Sequence, residues 1–269
     1  MIHKMRSIVV FLVVLLNFNC DALRKNTEPP PTIKKSIGLY IPKSMNQQRY
    51  VDSLDNFDRK IVVATGPAGS GKTLFACKKG LESLHTGKLQ KIVLTRPLVT
   101  VEEDLGFLPG DIDEKMSPWT RPIFDIFLER YTRSELDRML QENIIEVSPL
   151  AFMRGRTFKD TFIIADEMQN SSPSQMKMLT TRIGKGSRLI ITGDMNQSDR
   201  MGENGLEYLV RKMAEFYKSN PSINKLVDFI SLEADDVQRS KIVKHMIDMY
   251  SFTAPPVFPF KPFNDIIAS

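Results

Sequence analysis

A short apolar run that ends in a glycine-rich turn constrains this chain more than any other stretch. Ile61, Val62, Val63, Ala64 and Thr65 are β-branched or small residues, typical of a buried strand. The segment GPAGSGKT follows directly, from residue 66 to residue 73, and apolar residues at helical spacing then run from Leu74 to Leu84. A strand, a loop of this composition and a helix together predict a site that binds phosphate groups.

Each residue type in this loop has a physical reason. The glycines let the backbone curl so that successive N–H groups point at a β-phosphate, and the helix behind adds its positive end. We expect Lys72 to bring a mobile charge to the β- and γ-phosphates, and the Thr73 hydroxyl to ligate Mg2+. The predicted nucleotide-binding residues of the loop are Gly66, Pro67, Ala68, Gly69, Ser70, Gly71, Lys72 and Thr73.

A second apolar strand, predicted over residues 161–165, delivers two adjacent carboxylates at its end. Asp166 is placed to hold Mg2+ through water beside Thr73, as in phosphate-loop enzymes generally. Glu167 is placed to polarise a water molecule that attacks a γ-phosphate. A third strand, predicted over 188–192, ends in a polar cluster from Gly193 to Gln197, and an amide there can sense the γ-phosphate.

Arginines form a further group of candidate residues. Arg96 follows the strand predicted over 91–95, at the kind of strand end where ligands collect in parallel sheets. Downstream, two arginines surround a glycine and have an aromatic residue on either side: Phe152, Arg154, Gly155, Arg156 and Phe158. Such a group can grip a phosphate backbone and stack on a base. A charged surface turn is the alternative interpretation.

Gln47 is a candidate contact for the adenine base. It lies just upstream of the phosphate loop, on a helix predicted from Met45 to Phe57 with Ser44 as its cap. Its amide offers one donor and one acceptor direction to the edge of a base. The alternative is a solvated glutamine on the surface of that helix.

The predicted strands alternate with helices, which indicates an α/β fold with a mostly parallel central sheet covered by helices on both faces. The polar motifs all follow strand ends, so we expect them to share one crevice. Residues 100–118 are predicted to form an irregular loop and residues 119–140 two helices. Later helices are predicted over 201–216 and 235–249.

The 269 residues suit one α/β domain with extensions. Residues 1–22 resemble a hydrophobic leader, residues 23–39 a Pro- and Lys-rich linker, 40–250 the folded domain, and 251–269 a Pro- and Phe-rich tail. The leader is interpreted as a cleaved signal, an anchor, or a mis-assigned start with Met45 near the true beginning. The location is cytoplasmic if the leader is not used, and otherwise ER-routed, organellar or membrane-associated.

Net charge and cysteine content exclude few classes of function. The net charge of +5 permits a polyanionic partner without requiring one. The two cysteines, Cys20 and Cys77, indicate neither a disulfide framework nor a zinc site.

Taken together, the motifs resemble the PhoH-like ATPases, which are similar to the core of superfamily 1 helicases. The resemblance runs from about Tyr40 to Tyr250 and includes LGFLPGD at 105–111, MRGRT at 153–157, DEMQN at 166–170 and TGDMNQ at 192–197. It implies a three-layer RecA-like P-loop NTPase that uses ATP and Mg2+. The sequence departs from the usual family pattern at Ala165 and Met168.

The resemblance also implies roles for individual residues. Lys72, Thr73 and Asp166 would serve ATP and Mg2+, with Glu167 as the base, Gln197 as the γ-phosphate sensor and Gln47 as the adenine contact. Family members tend to form rings, a hexamer being favoured, so Arg239 would be an arginine finger that reaches a neighbour's γ-phosphate. Single-stranded RNA is the expected partner, through Arg96, Arg154 and Arg156.

Two other functions share the phosphate loop. A small-molecule kinase would need an acceptor pocket and lid arginines, whereas the Asp166–Glu167 pair favours activation of water. A non-enzymatic ATP-gated scaffold is the second alternative.

Overall fold

The computed structural model describes residues 41–97, 112–198, 202–223 and 225–238, with isolated helical positions at 242, 245, 246 and 249. For residues 112–118 it describes the backbone alone. The predicted leader, linker and tail, and the first residue of the predicted domain, Tyr40, lie outside these ranges. Within them, no helix is both long enough and apolar enough to cross a bilayer.

Strands and helices alternate along the described chain, with three short 3-10 helices between them. The α-helices are α1 (Met45–Asp55), α2 (Lys72–His85), α3 (Ile112–Leu128), α4 (Arg133–Gln141), α5 (Pro173–Thr180) and α6 (Gly205–Ser219). The strands are β1 (Ile61–Thr65), β2 (Lys91–Thr95), β3 (Ile145–Val147), β4 (Thr161–Ala165), β5 (Arg188–Gly193) and β6 (Val227–Ser231). The 3-10 helices are Leu150–Met153, Met168–Asn170 and Ala234–Asp236.

The six strands form one sheet in the order β3-β2-β4-β5-β1-β6, and every neighbouring pair is parallel. Parallel strands require crossover connections, and the helices that provide them cover both faces of the sheet. The predicted α/β fold with a mostly parallel sheet is therefore confirmed. Because all strands run the same way, the ends of β1, β2, β4 and β5 meet along one edge.

Alternation along the strands divides the core into two layers. Val62 and Ala64 face the layer that α1, α2, α3 and α4 cover. Val63, between them, faces the other layer, where Met176 of α5 and Leu206 of α6 are buried. Because successive strand residues point to opposite faces, a continuous apolar run in β1 builds both layers at once, which gives the three-layer architecture.

Several element predictions were wrong in their bounds, most of all the irregular loop predicted over residues 100–118. Helix α3 starts at Ile112, inside the stretch predicted to be an irregular loop, and it continues through Pro118 and Pro122. Proline normally interrupts a helix, but Ile123 and Phe127 of α3 are buried in the core, and such packing overrides the local preference.

The helix predicted from Asp235 also begins differently. Residues Ala234–Asp236 form a 3-10 turn, and Val237 is extended with φ −69° and ψ 114°.

A fully buried arginine joins α1 to the start of β5. The Arg188 guanidinium donates hydrogen bonds to four backbone carbonyls at and just beyond the C-terminal end of α1, those of Ser53, Leu54, Asn56 and Arg59. It also stacks over the Phe57 ring at 4.6 Å. Burial lowers the pKa of Arg188 to about 10, so the side chain stays charged at neutral pH. The last carbonyls of a helix have no partner within it, and a cation there complements the helix dipole.

Candidate nucleotide-binding site

The phosphate loop leaves β1 in a conformation that requires glycine. Gly66 has φ +143°, and a Cβ atom at that position would lie 2.2 Å from the carbonyl oxygen of Leu232. Gly71, which precedes α2, has φ +97°, and its Cβ would lie 2.8 Å from the ring of Phe75. Both positions combine a left-handed backbone with a close neighbour, so no other residue fits without displacing the surrounding chain.

Backbone hydrogen bonds hold this loop from three sides. Gly66 N–H donates to the carbonyl of Gly193 at the end of β5, at 3.2 Å. Leu232, which follows β6, donates to the carbonyl of Thr65 at 2.8 Å. Gln238 N–H donates to the carbonyl of Gly69 at 3.1 Å. The loop is thus fixed by the neighbouring strand ends as well as by its own sequence.

Lys72 lies at the first position of α2, behind the loop. Its ammonium group donates to the carbonyl oxygens of Gly66 at 2.6 Å and Pro67 at 2.9 Å. The charge therefore sits within the curl of the loop, close to the backbone groups expected to contact a phosphate.

Thr73 and Asp166, the two residues predicted to hold Mg2+, are in direct contact. The Thr73 hydroxyl donates to Asp166 Oδ1 at 2.9 Å, and the Thr192 hydroxyl donates to the same oxygen. Asp166 N–H in turn donates to the carbonyl of Thr95, at the end of β2. These contacts bring the phosphate loop and the carboxylate strand to one point of the sheet edge.

The chemistry of this donor pair fits Mg2+. A hydroxyl and a carboxylate are hard oxygen ligands, and Mg2+ takes few protein ligands because it keeps water and substrate phosphates in its coordination sphere. The described part of the chain holds no cluster of three or more His, Cys, Asp or Glu residues that could bind a metal. The Ser70 hydroxyl is also fully buried in the loop, with no hydrogen-bond partner among the described residues.

Glu167 has an unusual backbone, with φ +53° and ψ 40°. The left-handed region is costly for a residue with a side chain, and such strain persists only where surrounding contacts impose it. The side chain of this residue is held by Gln169, whose amide nitrogen donates to Glu167 Oε2 at 2.6 Å and to the carbonyl of Gln197 at 3.2 Å. The amide oxygen of Gln169 accepts from Asp194 N–H at 3.1 Å.

Gln169 was missed in the sequence analysis as a functional residue. It is 2% exposed and joins the carboxylate strand to the Gly193–Gln197 turn. A Cβ atom on Gly193 would lie 2.6 Å from the Gln169 amide oxygen, so the glycine makes room for this contact. The sequence signal that could have indicated this role is an amide side chain two residues after the carboxylate pair, next to Met168, which is buried in the core.

Two further residues, Gln197 and Arg239, are predicted to be catalytic. The side chain of Gln197 is exposed, and its backbone carbonyl is the one that Gln169 contacts. Arg239 lies outside the described residues.

Gln47 is 2% exposed, which contradicts the alternative of a solvated helix residue. Its amide nitrogen donates to the carbonyls of Ser70 and Asp236, both at 3.0 Å, and its oxygen accepts from Lys43 N–H at 2.8 Å. Gln47 thus contacts the phosphate loop directly. Its role as an adenine contact stays a prediction.

The three predicted nucleic-acid arginines differ in their surroundings. Arg154 is exposed and Arg96 is half-buried. Arg156 forms a bidentate ion pair with Glu146, at 2.5 and 2.9 Å, and its guanidinium lies 4.6 Å from the Phe158 ring centre. Lys91 also pairs with Glu146, at 2.6 Å. Because the Arg156 guanidinium already pairs with Glu146 and stacks on Phe158, its predicted role as a nucleic-acid contact is weakened.

The Glu146 ion pairs predict a pH-dependent contribution to stability. Hydrogen bonding from Arg156 is the main cause that lowers the pKa of Glu146 to about 2. A lowered carboxyl pKa stabilises the fold above its unfolded value near 4.5, and this stabilisation is lost as the pH falls toward 2. We expect Glu146→Gln to reduce the free energy of unfolding at pH 7 by about 1–2 kcal/mol, after a reduction for solvent screening.

Urea unfolding at pH 7 and pH 3.5 measures this difference, which should shrink at the lower pH. Glu215→Gln is the matched control, since Glu215 pairs with Lys212 on the exposed face of α6. Its substitution should leave the free energy of unfolding close to that of the wild type at both pH values, because solvent and salt screen an exposed pair. An equal loss for Glu146→Gln at both pH values would contradict the assignment.

Comparison with known proteins identifies the family. A model of the PhoH-like protein family matches residues 40–251. The PhoH-like protein of Bacillus subtilis (strain 168) is 41% identical over 208 residues, which cover 77% of this chain and 63% of that protein. The PhoH-like protein of Mycobacterium tuberculosis (strain H37Rv) is 40% identical over 210 residues, covering 78% and 57%. Protein PhoH of Escherichia coli (strain K12) is 35% identical over 209 residues, covering 76% and 56%.

Among solved structures, the chain matches the Pif1 helicase from Candida albicans with a TM-score of 0.38 and 16% identity, covering 78% of this chain and 43% of that one. The large terminase of a thermophilic bacteriophage has a TM-score of 0.46 and 13% identity, covering 79% and 51%. The chain spans less than two thirds of the length of each curated relative named above. Since the family model spans most of the sequence and these relatives are at least 35% identical to it, the chain belongs to the PhoH-like family of P-loop NTPases.

Proposed function

We propose that this protein binds ATP with Mg2+, hydrolyses it, and couples hydrolysis to the binding of single-stranded RNA. The observation that carries the proposal is the 2.9 Å hydrogen bond between the Thr73 hydroxyl and Asp166, which joins the phosphate loop to the carboxylate pair. Family membership supports nucleotide use, and the exposed Arg154 supports a polyanionic partner.

The residues would divide the work as follows. The backbone N–H groups of the loop bind the phosphates, and the Lys72 ammonium exchanges its two loop carbonyls for β- and γ-phosphate oxygens. Thr73 and Asp166 would hold Mg2+, which supplies positive charge against the phosphates when bound. Glu167 accepts a proton from the attacking water, and Gln169 orients that carboxylate through Oε2, leaving Oε1 for the water. The Gln197 amide senses the γ-phosphate.

Phosphate release from ATP, measured with and without a single-stranded RNA oligomer, tests both halves of the proposal. We expect Glu167→Gln to reduce turnover about 100-fold or more while nucleotide affinity is kept, because it removes the proton acceptor but not the phosphate contacts. Glu215→Gln, on the exposed face of α6, is the control and should behave as wild type.

The outcomes separate the alternatives. Phosphate release with no acceptor present argues against a kinase. Wild-type protein that binds ATP but releases no phosphate under either condition would be an ATP-gated scaffold, which contradicts the proposal. Release that RNA does not change contradicts the coupling alone and leaves ATP hydrolysis standing.

Gln169 is a positioning residue for Glu167, and its substitution tests that role. Gln169→Leu removes the amide contacts to Glu167 and Gln197 at similar volume, so we expect turnover to fall about 10- to 100-fold with little change in ATP affinity. Gln48→Leu is the control, because Gln48 is an exposed glutamine on α1 whose side chain bonds only Asp52 among the contacts described. A matching fall in ATP affinity would indicate a general structural role instead.

We also propose a ring assembly in which Arg239 acts on a neighbour's nucleotide, as the family resemblance implies. Gln238, the last described residue before it, contacts the phosphate loop of its own chain, so the test must separate action within one chain from action between chains. Lys72→Ala and Arg239→Ala subunits are each expected to hydrolyse ATP slowly when alone, and they are co-assembled at equal amounts.

Random mixing makes about a quarter of the sites combine an intact loop with a neighbour's intact arginine, so turnover should recover to about that fraction. Sedimentation of the wild type measures the ring size, for which a hexamer is expected. No recovery in an assembled mixture contradicts action between chains.

A further inference from the structure

Phe152 is an aromatic side chain that the fold holds out of the core. It lies on the 3-10 helix Leu150–Met153 and is 55% exposed. Residues three apart on a 3-10 helix lie on the same side, and here Leu150 and Met153 are both buried in the layer beneath α5 and α6. With those two side chains fixed inward, Phe152 faces away from the core.

The backbone under this ring is fixed by hydrogen bonds. Phe152 N–H donates to the carbonyl of Pro149 at 2.9 Å, and Leu150 N–H donates to the carbonyl of Arg96 at 3.2 Å. Arg156 N–H closes the following turn on the carbonyl of Met153 at 3.3 Å. An aromatic ring on an anchored turn offers a large contact area at a low cost in conformational entropy.

Charge next to the ring is positive. Arg154, two residues on, is exposed, and within the described ranges it forms no ion pair. Its neighbour Arg156 differs, because Glu146 holds it and its guanidinium covers Phe158, which is only 5% exposed. Of the two aromatic residues and two arginines in this segment, the fold presents one of each, Phe152 and Arg154.

This exposed pair is connected to the nucleotide site through two consecutive carbonyls. Asp166 N–H donates to the carbonyl of Thr95, and the next carbonyl, that of Arg96, accepts from Leu150 N–H. The turn that carries Phe152 is therefore joined by backbone hydrogen bonds to the segment that positions Asp166. A ligand bound at Phe152 would therefore contact a turn whose backbone is hydrogen-bonded to the segment that positions Asp166, the carboxylate proposed to hold Mg2+.

We propose that Phe152 is a stacking platform for one base of a single-stranded nucleic acid, and that Arg154 contacts the adjoining phosphate. This inference rests on the proposed coupling to RNA and deepens it by assigning a base contact. Stacking tolerates any base, since every base has a π-face, and the arginine supplies the charge that the phosphate requires. A paired strand keeps its bases stacked on each other, so the platform selects unpaired nucleotides.

Fluorescence anisotropy with two probes of equal length and charge tests this assignment: a labelled oligouridine and an abasic strand with the same backbone. Phe152→Ala should weaken binding of oligouridine about 5- to 100-fold and leave the abasic strand unchanged. Phe152→Trp should keep the affinity for oligouridine. Arg154→Ala should weaken both probes by similar factors, because it removes a phosphate contact.

Phe216→Ala is the matched control, since Phe216 is 50% exposed on α6, and it should bind both probes as wild type does. Unfolding midpoints equal to wild type verify that the variants are folded. If wild type binds oligouridine and Phe152→Ala binds it equally well, or loses both probes alike, the stacking role is overturned while the coupling to RNA stands. If wild type binds neither probe, the proposed coupling fails and the platform fails with it.

Discussion

The parallel register of β4, β5 and β1 is the constraint on which the site depends. Thr65 at the end of β1 is paired with Gly193 at the end of β5, and Ala165 at the end of β4 is paired with Ile191. Each strand therefore stops at nearly the same height, and the residue that follows it enters the same crevice. The phosphate loop, Asp166 and the Gly193 turn meet because the strands are aligned.

Alignment alone does not hold the polar groups in place, and the chain uses hydrogen bonds among them for that. Lys72 donates to loop carbonyls, Thr73 donates to Asp166, and Gln169 contacts Glu167. Each of these bonds gives a partner to a polar group that is partly buried, where an unpaired group costs free energy. A nucleotide with Mg2+ would have to replace the first two contacts with better ones, whereas the Gln169 contact can persist while water is activated.

The features that could be predicted from the sequence are those that depend on neighbouring residues in the chain. The buried strands appear as apolar runs, the phosphate loop as a spaced set of glycines, and the Ser44 cap of α1 as a polar residue before the helix; all three were found as expected. The missed features depend on partners far away in the sequence. Glu146 meets Arg156 and Lys91 only in the folded chain, and α3 passes through its two prolines, Pro118 and Pro122, because its buried face compensates.

The buried guanidinium of Arg188 has a mechanical consequence. Arg188 binds carbonyls at the C-terminal end of α1. Gln47, near the N-terminal end, donates hydrogen bonds to the phosphate loop and to the Ala234–Asp236 turn. An eleven-residue helix measures about 16 Å. Helix α1 therefore reaches from the edge of the sheet where β5 begins, at Arg188, to the edge where β1 ends, at the phosphate loop. The position of the phosphate loop therefore depends partly on contacts at the opposite edge of the sheet, where Arg188 holds the other end of α1.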